Sequence, residues 1–348
     1  MDAAQERFRN FALGVPAGVA LNKNQPRTTL GTPNDGTGVD ESLRVKTLQR
    51  AFKADGVGAY AQDLVSLTPT WKLLGGLRFD RFSGDFRTPT TANAAEVTRS
   101  RSDALWSRRA GVLYQPDKRH SFHFSYGTSF NTSGDTYQYD NQTDKTPPES
   151  SQNLELGATL DSADDGATLR VAIFRSTKLH ERNRDPDSAA VQNLLSGRRH
   201  SAGVELDLSG RITPAWEVFG SYAWVPVARI DVGAPGSTPG VGEGAGTRSS
   251  LTPKHSGTIW STCQLDRNWR VGGGVNLRSA QTPNRNPVGV RAPGFATLDL
   301  IAEYSLEQVA FKFNVGNLTN RLYADSLYTA HYIPGAGRTL SFTVATRF

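Results

Sequence analysis

The residues best suited to chemistry in this 348-residue chain are cations gathered at two points. His180, Glu181, Arg182 and Arg184 stand at one foot of a polar link, and Arg198, Arg199 and His200 stand at the other. Two readings fit them: solvated charge on a loop, or an electropositive rim that holds an anion. Other constellations fall away on spacing. His120 and His123 are three apart in a strand pattern, which puts them on opposite faces and denies them a shared metal. The GVGEGAG run at 240–246 has no helix after it, so a flexible loop tip fits better than a phosphate cradle. No Gly-x-Ser-x-Gly or comparable nucleophile arrangement occurs, and no enzyme is expected. The lone Cys263 allows no intramolecular disulfide and no cysteine metal site.

Net charge is 39 − 33 = +6, with a pI near 9.5. That balance would permit nucleic-acid binding, but the basic residues are scattered, with no Lys/Arg-rich run and no aromatic-basic motif, so no nucleic-acid partner is expected. A hydrophobic fraction of 37% and a mean hydropathy of -0.45 resemble an ordinary soluble protein. They are equally what a membrane β-barrel shows, because its lipid exposure hides in alternate positions. The opening MDAAQERFRNFALG carries acids where an export signal has a basic region, and it lacks an apolar run, so no signal peptide is expected in this chain.

The segments around these residues read as strands. Leu340, Phe342 and Val344 alternate with Thr339, Ser341, Thr343 and Arg347. Phe122, Phe124, Tyr126 and Phe130 alternate with serines and His123, and Phe311, Phe313 and Val315 with Lys312 and Asn314. Charges keep to one face. Punctuation predicts about fourteen strands, near 41–53, 55–67, 70–84, 104–115, 119–130, 152–161, 166–180, 197–209, 215–230, 252–264, 268–280, 293–305, 308–317 and 338–348. Tight turns alternate with long links rich in Gly, Pro, Asn, Asp and Ser, which is the pattern of an outer-membrane barrel. Trp71, Trp106, Trp216, Trp224 and Trp269 lie at strand ends, where a headgroup-level girdle is expected. The fold class expected is all-β, an antiparallel transmembrane β-barrel.

Ordered local signatures then become specific: GAYAQD at Gly58 to Asp63, LTPTWKLLGGLRFDRF at Leu67 to Phe82, and GVLYQP at Gly111 to Pro116. SQNLELGATL follows at Ser151 to Leu160, GVELDLSGRITPAW at Gly203 to Trp216, TPKHSGTIWSTCQL at Thr252 to Leu265, then NLTN, PGAGR and a terminal Phe348. In this order they resemble the C-terminal two-thirds of a TonB-dependent siderophore receptor. YADSLYTAHYIPGAGR at Tyr323 to Arg338 resembles the last outer loop of the catecholate branch.

The resemblance implies an outer-membrane transporter that takes up ferric siderophore when TonB, with ExbB and ExbD, acts through a plug domain. It implies no cofactor beyond the transported ligand, a lipid bilayer around the wall, and Phe348 as a C-terminal signal for the outer-membrane assembly machinery. Ferric catecholates are anionic and flat, so the binding residues it suggests are Arg182, Arg184, Arg198 and Arg199 as cations. Tyr137, Tyr139, Tyr323, Tyr328 and Tyr332, with His331, would supply the aromatic part. The chain departs from the pattern. Residues 1–40 read as an irregular segment, the end of an interrupted outer loop; 41–348 read as a partial barrel of about fourteen strands against a family of about 22. No plug is apparent, and a reading frame that begins inside a longer parent is the simplest account. The alternative is a passive outer-membrane pore or another barrel without siderophore specificity.

Overall fold

The computed structural model describes residues 1–16, 41–90, 95–131, 147–164, 166–182, 194–234, 236–241, 243–283, 291–327 and 332–346. Fourteen strands form one sheet in the order β1-β2-β3-β4-β5-β6-β7-β8-β9-β10-β11-β12-β13-β16. The strands are β1 Asp2–Gly14, β2 Val45–Ser66, β3 Trp71–Thr88, β4 Val97–Tyr114, β5 His120–Asn131, β6 Glu149–Asp161, β7 Ala167–Arg182 and β8 Leu194–Thr213. They continue with β9 Trp216–Gly233, β10 His255–Gln264, β11 Trp269–Arg278, β12 Phe295–Leu306, β13 Val309–Gly316 and β16 Thr339–Thr346. A separate hairpin pairs β14 Ala324–Leu327 with β15 Tyr332–Pro334. Among the described residues the only helical turn is Glu41–Leu43. Among the described residues no helix is long and apolar enough to cross a membrane.

Two expectations at the N-terminal end are corrected. Asp2–Gly14 is a strand, paired antiparallel with β2 from Asp2↔Gly58 to Gly14↔Val45, where an irregular segment was expected. Its pattern escapes a period-two reading because Phe8 and Phe11 are an odd step apart, and the register shifts between Asn10 and Phe11 to accommodate them. The strands expected at 41–53 and 55–67 are a single strand, Val45–Ser66, which runs straight through Asp55-Gly56. A Cβ at Gly56 would meet nothing closer than the Ala4 carbonyl at 3.9 Å, so no turn is forced there.

By contacts the chain divides into two units. The first takes in Met1–Ala59 and Asp80–Leu105, and Phe52, Ala54 and Phe86 form its buried cluster with Phe8 and Phe82 packed on it. The second takes in Tyr60–Phe79, Trp106–Asn131 and Thr146–Phe348, and it holds the regular wall.

In that wall the short turns share a device. Thr68 Oγ1 accepts from the backbone N–H of Thr70 and Trp71 at 3.3 and 3.0 Å. Asp117 Oδ1 accepts from Arg119 and His120 at 2.7 and 2.9 Å, and Asp266 Oδ1 from Asn268 and Trp269, both at 2.8 Å. A side-chain oxygen thus replaces the acceptor that a tight reversal leaves missing. The Trp269 and Asn268 amides hold the Asp266 carboxyl below the usual carboxylate range. Its contribution is therefore complete above the ordinary carboxylate pKa of about 3.9 and is lost as pH falls from there through the lowered folded value. Asp266→Asn keeps an acceptor oxygen but cannot titrate. Urea unfolding followed as pH is lowered below about 4 should show a shallower stability decline for the variant than for the native chain.

Candidate ligand-facing surface and outer loops

Register fixes the two faces of the wall. Directly opposite residues of an antiparallel pair share a face, so Tyr304↔Phe311↔Val344, Ala302↔Phe313↔Phe342 and Leu300↔Val315↔Leu340 make an apolar side. Phe311 stacks on Phe342 with ring centroids 6.2 Å apart. On the other side Lys312 Nζ meets Glu303 at 3.1 Å and Asn314 Nδ2 donates to Ser341 Oγ at 3.4 Å. Asn276 lies between Thr258 and Asp299, at 2.8 and 3.0 Å. The polar side is thus hydrogen-bonded across strands, and the apolar side exposes large side chains: Leu340 and Phe342 are 65% and 64% accessible.

At the short-turn end, Trp71, Trp216 and Trp269 each begin a strand as the expected belt requires, whereas Trp106 and Trp224 lie inside β4 and β9 and not at strand ends. Trp71 stacks on Tyr114 at 4.5 Å, Tyr114 lies 6.2 Å from Phe122, and Trp269 lies 4.8 Å from Tyr304. Trp216 Nε1 donates to Ser261 Oγ at 2.6 Å.

Among the described residues, the arginines singled out from the sequence do not converge. Consecutive strand residues point oppositely, so Arg198 and Arg199, opposite Leu179 and Lys178, lie on different faces. Arg199 is half of an ion-pair cluster: its Nε pairs with Glu181, its Nη2 lies 3.3 Å from Glu243, and Ser250 donates to Glu243. Lys178 joins Glu149 at 2.7 Å and Glu181 at 3.6 Å. Two cations thus face three carboxylates, and the side chains of Glu149, Glu181 and Glu243 are 5%, 16% and 13% accessible, so this cluster is structural charge rather than a free cationic rim. Arg198 sits 3.4 Å from Asp231, whose carboxylate also accepts from His200 Nδ1–H at 2.8 Å. Arg182 ends β7, and Arg184, Tyr137, Tyr139, Tyr328, His331 and Phe348 lie outside the described residues.

The last outer loop is tied to the wall. Tyr323 packs on Phe295 with centroids 4.3 Å apart, and Arg278 lies over that ring at 4.9 Å. Arg278 Nη2 also donates to the Ala324 and Asp325 carbonyls, at 2.8 and 2.9 Å. Asn317, at φ 48°, closes the loop's base: its Nδ2 donates to the Arg321 and Ala336 carbonyls, both at 2.9 Å, while its Oδ1 accepts from Arg321 N at 2.8 Å. Tyr332 is exposed on β15. Sequence reasoning named Tyr323 but missed Arg278, which reads as one more wall residue until its pairing with Phe295 is known. The NLTN run was the one signal available for Asn317.

Comparison with known proteins places these features. The profile of TonB dependent receptor-like β-barrels matches residues 5–318. The metal-pseudopaline receptor CntO of Pseudomonas aeruginosa is 26% identical, over 100% of this chain and 48% of its own length. The catecholate siderophore receptor Fiu of Escherichia coli K12 is 25% identical, over 85% of this chain and 42% of its own. The crystal structure of the Escherichia coli ferric-catecholate import receptor in its closed form superposes with a TM-score of 0.72 at 22% identity, covering 99% of this chain and 51% of that one. The chain spans about half the length of the curated relatives it matches.

Proposed function

We propose, from the premise that this chain belongs to the family of TonB-dependent receptor-like β-barrels, that it serves outer-membrane import of ferric siderophores, with a ferric catecholate as ligand. The family's members are transporters of the outer membrane, not enzymes. The observation that carries the reading is the wall itself: an apolar side and a cross-bonded polar side continue from β10 to β16, with long polar links at one end of the strands. Such a wall separates lipid from a wet passage. The catecholate assignment draws support from the tethered last loop, where Arg278, Tyr323 and Phe295 bring a cation and two packed rings together at the outer end. A flat anionic ligand asks for those groups. Energy would come from TonB with ExbB and ExbD.

The test is a titration of the membrane-reconstituted chain with a ferric triscatecholate and with a neutral ferric hydroxamate, read by tryptophan quenching. The triscatecholate should bind more tightly. Arg199→Ala leaves Glu181 and Glu243 without their shared cation, and the added negative field should weaken the triscatecholate about tenfold while sparing the hydroxamate. Hydroxamate preference would overturn the catecholate assignment, and equal weakening of both ligands would show that Arg199 only holds the loop.

A further inference from the structure

On the apolar side of β5–β9 the rows run continuously across five strands. Phe124, Leu156, Ile173, Val204 and Trp224 stand in one row, and Tyr126, Leu154, Arg175, Ala202 and Val227 in the next row toward the long loops. Arg175 is the first charge met on this side. The following row is wholly polar: Thr128, Gln152, Thr177, His200 and Arg229. Beyond it lies Arg198, opposite Leu179.

The change from apolar to polar is abrupt, within one step of about 7 Å along each strand. On a lipid-facing surface such a change marks the headgroup level, and Tyr126 and Trp224 stand there as interfacial aromatics do. A depression of about 550 Å³ opens at this boundary, with Tyr126, Gln152, Arg175, Thr177, Arg198 and Asp231 in its lining. Asp231, its one acid, is held by His200 and Arg198. Arg175 is exposed and has no ion-pair partner among the described residues, and Arg198 keeps 54% of its side chain accessible. A wall position facing lipid gains nothing from an unpaired guanidinium unless the lipid supplies the anion.

We propose that this depression seats a phosphate of a phosphorylated outer-leaflet glycolipid, with Arg175 and Arg198 as charged donors and Tyr126, Gln152 and Thr177 as neutral ones. The site rests only on membrane placement of the wall and is independent of the siderophore reading. Guanidinium forks match phosphate oxygens in pairs, and the neighbouring Leu154 and Leu179 offer apolar contact for the lipid's acyl root.

The experiment uses the full chain in a neutral glucoside detergent, with lipid A as probe and bound lipid counted by native mass spectrometry. Lipid A should bind about tenfold more tightly than its dephosphorylated form, and R175A/R198A should erase that preference. R175K/R198K should keep most of it, since charge at both points remains. Arg170→Ala, on the opposite face, should change nothing. Equal binding of dephosphorylated lipid by the native chain, a comparison that needs no variant to fold, would overturn the proposal. So would undiminished preference in a folded R175A/R198A chain. Inorganic phosphate binding as tightly as lipid A would overturn the assignment to a lipid.

Discussion

Phe342→Arg is expected to cost the membrane-inserted chain about 2–4 kcal/mol, and Ser341→Arg far less, although the two positions are adjacent on one strand. Phe342 stands opposite Phe313 and stacks near Phe311, on the side that also carries Leu340 and Val344. That side exposes large apolar groups, the surface that a lipid-facing wall presents. Ser341 faces Asn314, two residues from Lys312 of the Lys312–Glu303 pair on the same face, where a further guanidinium meets hydrogen-bonding partners. An arginine at 342 must either enter hydrocarbon or drag water and headgroups toward the midplane. Equilibrium unfolding of each variant from phosphatidylcholine vesicles measures the difference directly, and equal effects would mean that the faces are assigned the wrong way round.

Most of the wall was legible because a strand declares its faces at every second residue. β5, β11, β13 and β16 follow their sequence alternation without a register shift, and their pairing could be foreseen from turn chemistry such as Asp117 and Asp266. β1 was illegible because one shift at Asn10/Phe11 changes the phase of its apolar set. The candidate site was the harder part. Adjacent arginines in a sequence look like one cluster, yet Arg198 and Arg199 are separated by the full thickness of the sheet. Whether Arg199 is a free cation depends on Glu181 and Glu243, and Glu243 lies 44 residues away across a loop whose path no local pattern specifies. Charge composition announces cations; only the fold says which of them already have partners.

The same limit hid Arg248, and it supplies the second large expectation: Arg248→Ala should destabilise the outer end of β9 by about 2–3 kcal/mol. Between Ala202↔Val227 and Val204↔Trp224 the ladder shifts, so β9 carries an extra residue at Val225-Pro226. Proline has no N–H to pair, and a bulge leaves carbonyls without ladder partners. Gly203 stands opposite this kink, and a Cβ there would come within 2.3 Å of the Trp224 carbonyl oxygen. Arg248 gathers the loose ends: Nη2 donates to the Val225 carbonyl at 2.6 Å, Nη1 to Pro226 at 3.1 Å and Nε to Thr252 at 3.0 Å. Burial lowers the guanidinium pKa, but an arginine begins so high that it stays charged. Its segment also extends the ladder, since Ile230 N donates to Thr247 O at 3.0 Å and Ser249 N to Ala228 O at 2.9 Å, and Ile230 is fully buried beneath it. Truncation therefore strands two bulge carbonyls and frees the loop that covers Ile230. Hydrogen exchange should report it locally: the Ile230 and Ser249 amides should lose protection while Val271 and Val275, deep in the wall, keep theirs. Arg248→Lys, a single ammonium that cannot span three carbonyls in a fork, should recover only part of the loss. Full recovery by lysine would mean that charge, and not the fork, holds the bulge.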